Sequence, residues 1–83
     1  TRLAEDEHKA AAQRDLGISY GRLARVAEAE GDLQAARKYL EEELAIGQRL
    51  IELAPSSADA RRSTAIVHYR LGAVYQELQD EEN

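Results

Sequence analysis

Cysteine, methionine, tryptophan and phenylalanine are absent from these 83 residues, proline occurs once and lysine twice. Without cysteine there is no disulfide framework and no thiolate zinc site. Valine and isoleucine are scarce, 7 together against 15 Ala and 10 Leu, which excludes a strand-dominated chain and favours helix throughout. No apolar run approaches the roughly 20 residues of a bilayer span, so the chain is expected to be soluble; the absence of cysteine is compatible with the cytoplasm, which is the compartment expected. It opens on Thr1 without a signal-peptide pattern, which reads as a piece of something longer or a trimmed chain.

What is present is charge and alanine. The net charge is −5, and 9 of the 11 basic residues are Arg, the planar cation suited to carboxylates. Overall acidity argues against nucleic acid or an anionic membrane as partner. Residues 1–83 make one small domain, and a chain of this size buries about 60% of its unfolded surface, so neighbours would add to its stability.

Two punctuation points divide the sequence, Gly31-Asp32 and Pro55-Ser56-Ser57, and the stretches between carry helical periodicity. The expectation is an all-α chain of three antiparallel helices over about 4–30, 33–54 and 57–79. Gly31 ends the first by adopting a left-handed conformation, and Asp32 caps the second. Ser56 with Asp59 resembles a capping box for the third. Residues 1–9 are read as part of one long first helix, and Asp80-Glu81-Glu82 as a frayed tail.

On a helical wheel the first helix gathers Leu16, Tyr20, Leu23 and Ala27, with Ser19 and Val26 at the edge, as its core stripe. The second differs. Leu33, Ala36, Leu40, Leu44 and Ile51 form one stripe, while Tyr39, Ile46, Leu50 and Leu53 form another beside it. A helix needs so wide an apolar arc only when it is packed on two sides, so it is expected to be the middle layer. The third helix repeats the first with Leu71, Val74, Tyr75 and Leu78, and Val67 at the edge.

That repetition is explicit when the chain is displaced by 48 residues against itself. Arg14 falls on Arg62, Ile18 on Ile66, Arg22 on Arg70, Leu23 on Leu71, Val26 on Val74 and Asp32 on Asp80. Leu71-Gly72 followed by Tyr75, with His68 before them and Gln79-Asp80 at the turn, resembles the first helix of a tetratricopeptide repeat. In the earlier copy the matching residues are Tyr20, Leu23-Ala24, Ala27, Gly31-Asp32, Ala36 and Leu40. The resemblance implies one and a half helical hairpins of an α-solenoid acting as a protein-interaction scaffold. The 48-residue period exceeds the family's 34 by 14, about two helical turns added to each helix, which marks a long-helix variant.

Catalysis finds little support. Glu5 and His8 have the Glu-x-x-His spacing of di-iron bundles, but one copy is not a site. The four Ser and two Thr lack a glycine-rich elbow or an adjacent His and acid. Gly17-x-x-x-Gly21 reads as a close-approach surface or a bend. His68 is expected to pack at the edge of the core. No enzymatic activity, metal or cofactor is expected.

The informative constellation lies opposite the core stripe. Arg14, Ile18, Arg22 and Arg25 share a face of the first helix, and Arg62, Ile66, Tyr69 and Arg70 share the equivalent face of the third. In a tetratricopeptide-like stack both line the concave surface, which implies an Arg-rich groove for an acidic peptide or protein. The plainer reading is a solvated face, its arginines paired with Asp15, Glu28, Asp59 or Glu77. Glu43 faces the apolar arc, where an Arg of an adjacent helix can meet it. As an alternative to partner binding, an open strip of Val67, Leu71, Val74, Tyr75 and Leu78 on the third helix is expected to drive homo-oligomer or filament formation.

Overall fold

The computed structural model describes residues 2–82. Three helices follow one another, α1 (Arg2–Ala29), α2 (Leu33–Leu53) and α3 (Ala58–Glu82), and the architecture is all-α among the described residues. Residues 4–9 sit within α1, as the single long helix requires, and are exposed. α3 runs on to Glu82, so the acidic end is helical rather than frayed. No helix is long and apolar enough to cross a membrane among the described residues.

The α1–α2 turn follows from Gly31. Its φ of 77° is open to glycine at little cost. Asp32 N–H then donates to Ala27 O at 2.8 Å and Gly31 N–H to Glu28 O at 3.1 Å, the paired bonds of a Schellman end. Asp32 Oδ1 accepts from Ala35 N–H at 3.1 Å and caps α2. At the second turn the cap is Ser57, not Ser56: Ser57 Oγ accepts from Ala60 N–H at 3.2 Å. The cap thus lies one residue beyond the place that the capping-box pattern assigns to it.

α2 packs on both α1 and α3, while α1 and α3 make no close backbone approach to each other among the described residues. The long axis spans 53 Å and the cross-section 20 by 14 Å, an elongated section in keeping with a bent row of three helices. α2 thus has a neighbour on each side, although Leu53 of the expected second stripe is 48% exposed rather than packed. Toward α1, the Tyr39 ring lies 6.3 Å from that of Tyr20, and Ile46 and Glu43 sit against Gly17 and Gly21. Toward α3, Gly47 meets Thr64 and Glu41 accepts from Tyr75. Ala24, Ala27, Ala36, Leu40, Val67, Leu71 and Val74 form one buried cluster through the row.

The core stripe of α1 departs from the wheel. Leu16 and Leu23 are each 44% exposed and Val26 55%. Ala27 is buried as the wheel expects and Tyr20 is half-buried beside Tyr39, but the rest of the face toward α2 runs through Gly17, Gly21 and Ala24, all buried. Small side chains let the two helix backbones come close, with Ile46 and Glu43 against Gly17 and Gly21, and no described residue buries Leu16 or Leu23 on their side of α1. In α3 the wheel holds for Val67, Leu71 and Val74, which are buried, whereas Tyr75 is 45% exposed. His68 is exposed, not packed at the core edge.

Candidate interaction groove

Because α2 separates α1 from α3, a cleft runs between the flanking helices with α2 as its floor. The cavity measures about 260 Å³. Gly47 sets its shape: a Cβ there would lie 2.4 Å from Thr64 Oγ1, so only glycine admits α3 this close. Ile46, Gly47 and Leu50 make the floor, Arg14, Gly17 and Ile18 the α1 wall, and Ala60, Ser63, Thr64 and Val67 the α3 wall. Thr64 spends its hydroxyl hydrogen on Ala60 O at 2.8 Å, which leaves its methyl and Val67 to present an apolar wall.

Glu43 is a half-buried acid of this region. Its Oε1 has no hydrogen-bond partner, and Arg70 Nη1 approaches only to 3.8 Å. Desolvation therefore prevails and pushes the Glu43 carboxyl above the ordinary glutamate value, although Arg70 and Arg25 pull it down. Arg70 Nη2 also donates to Glu28 Oε1 at 3.3 Å, so one guanidinium ties α3 to both α1 and α2.

The expected site residues separate accordingly. Arg14 and Ile18 line the cleft. Arg22, Arg25, Arg62 and Ile66 are exposed and lie outside its lining. Tyr69, 81% exposed, borders a second hollow of about 220 Å³ with Arg70, Glu28 and Glu77. Arg70 is a clamp within the fold rather than a free cation, and its pair with Glu28 joins two helices instead of neighbouring turns of one solvated face. Lining the cleft are one arginine and two carboxylates, Glu43 and Asp59, so the cleft proper is mixed in charge and not basic.

Ser57, Ser63 and Thr64 join the cleft without notice from the sequence. The available signal is Gly47, a residue without a side chain on the α3-facing side of α2, which marks where α3 comes nearest. The strip expected on α3 for self-assembly is also corrected. Val67, Leu71 and Val74 are spent on α2, and Leu78 packs half-buried against the same cluster, which leaves Tyr75 as the exposed member. Glu5 and His8 lie exposed on α1. The chain matches no protein-family model, no curated protein and no solved structure.

Proposed function

We propose that this chain is a non-enzymatic interaction scaffold, one and a half tetratricopeptide-like hairpins whose cleft between α1 and α3 receives a segment of another protein. The observation that carries the reading is an apolar-floored cleft held open by a helix packed on both flanks. Its volume falls below the roughly 300–1,000 Å³ of small-molecule sites and suits one large apolar side chain of a partner. The 48-residue repetition of α1 in α3 supports the repeat-like assignment. Acidic groups flanking that anchor would meet Arg14, Arg22 and Arg25 along α1, none of which takes part in the ion pairs among the described residues.

The test is to pan a displayed random-peptide library on the full chain. Enriched peptides should carry a large apolar residue flanked by Asp or Glu. They should lose binding to Ile18→Glu and to the triple change of Arg14, Arg22 and Arg25 to Glu, while circular dichroism shows unchanged helicity. Peptides that bind both variants as tightly as the parent chain would place recognition elsewhere.

A further inference from the structure

α1 and α3 are copies displaced by 48 residues, yet they pack on α2 through different faces. α3 buries Thr64, Val67, Leu71 and Val74. The same positions of α1 are Leu16, Ser19, Leu23 and Val26, and all four are exposed. α1 therefore carries two packing faces: the small-residue face that α2 covers, and an outer apolar face, built to α3's pattern, that no described residue covers. The charge beside the face is repeated too. Arg70 stands one turn from Val67 and Val74 and pairs with Glu43 of α2. Its counterpart Arg22 stands one turn from Ser19 and Val26, exposed and outside the ion pairs of the described residues.

We propose that the outer face of α1, centred on Leu16, Leu23 and Val26 with Arg22 at its rim, docks an acidic amphipathic helix of another protein in the way α3 seats on α2. The chemistry of that helix is read from α2: an apolar residue at the place of Leu40, a carboxylate at the place of Glu43 to meet Arg22, and a small residue at the place of Gly47. Leu16 is larger than Thr64 and Ser19 smaller than Val67, so the incoming helix is small opposite Leu16 and larger opposite Ser19. A second copy of this chain does not supply such a helix without unpacking, because both flanks of its own α2 are covered. The apolar centre of this surface lies on a different side of α1 from the cleft; Arg22 is the one residue that both readings use, and Leu23→Glu set against Ile18→Glu separates them.

The probe is a side-chain-stapled peptide of residues 33–53 carrying Tyr39→Gln, Ile46→Gln, Leu50→Gln and Leu53→Gln, which leaves only the α3-type stripe apolar and keeps the helix acidic. Titrated into the isotope-labelled full chain, it should give saturable NMR shifts at Leu16, Leu23 and Val26. Leu23→Glu, at an exposed position, should weaken binding by about tenfold or more. Arg22→Glu should weaken it by about fivefold, and Glu43→Arg in the peptide should restore it. Shifts confined to Ile18 and Val67 in the cleft, or to Tyr69 and Tyr75 on α3, would overturn the proposal, as would no shift at about 1 mM stapled peptide. A peptide-free dimer that Leu23→Glu dissociates would assign the face to a second copy and overturn it equally. Because Ile18→Glu should leave peptide binding unchanged, failure here is distinguishable from failure of the cleft.

Discussion

Gly47 and Thr64 show how a single atom sets the distance between two helices. A methyl group at position 47 would press on Thr64 Oγ1, which is itself held by its bond to Ala60 O. Gly47→Ala should therefore destabilise the fold by about 1–3 kcal/mol despite alanine's better helix propensity, and adding Thr64→Ala should recover part of the loss. Thermal unfolding of the single and double variants checks this. Across the same interface Tyr75 Oη donates to Glu41 Oε1 at 2.7 Å, and Arg37 lies 3.0 Å from the same oxygen. The tyrosine bond, aided by Arg37, holds the Glu41 carboxyl below the usual glutamate value. A depressed carboxyl contributes stability that is present above its unfolded value and lost as pH falls through the folded one. Tyr75→Phe should return Glu41 toward the ordinary midpoint in an NMR titration. Its stability deficit at neutral pH should close as acid is added through the carboxylate range.

At the scale of whole elements, the turns decide where each helix begins. Ser57 rather than Ser56 supplies the acceptor for the α3 N-terminus. Ser57→Ala should cost about 1 kcal/mol and Ser56→Ala close to nothing, a difference that urea unfolding resolves. The three helices are legible in the sequence because Gly31-Asp32 and Pro55 interrupt helix formers with residues whose backbone preferences are strong. The double-sided nature of α2 is legible as well, since its apolar arc is too wide for one neighbour. The working face of α1 is not. A wheel weights Leu16 and Leu23 above Gly17, Gly21 and Ala24, whereas helix packing rewards the side where backbones come nearest. The Gly17-x-x-x-Gly21 spacing holds that information, but a bend in a long helix accounts for the same two glycines. Glu43 faces the apolar arc as its sequence position indicates, but the reach of Arg70 to both Glu28 and Glu43 depends on three helices at once and leaves no local mark in sequence.

The molecule as a whole is a bent row of helices whose interior is divided by α2, and the proposed binding surfaces follow from that arrangement. The cleft exists because α1 and α3 are kept apart, and the outer face of α1 exists because its leucines are turned away from α2. A compact three-helix bundle of the same sequence would erase both, driving Leu16, Leu23 and Val26 onto Leu71 and Val74. Methyl-to-methyl and methyl-to-α-proton nuclear Overhauser contacts in the full chain distinguish the two directly. The row predicts contacts from Ile46 to the Gly17 α-protons and from Thr64 to the Gly47 α-protons in the same molecule, with none between the Leu16 or Leu23 methyls and those of α3. Strong contacts joining Leu23 to Leu71 or Val74 would contradict it.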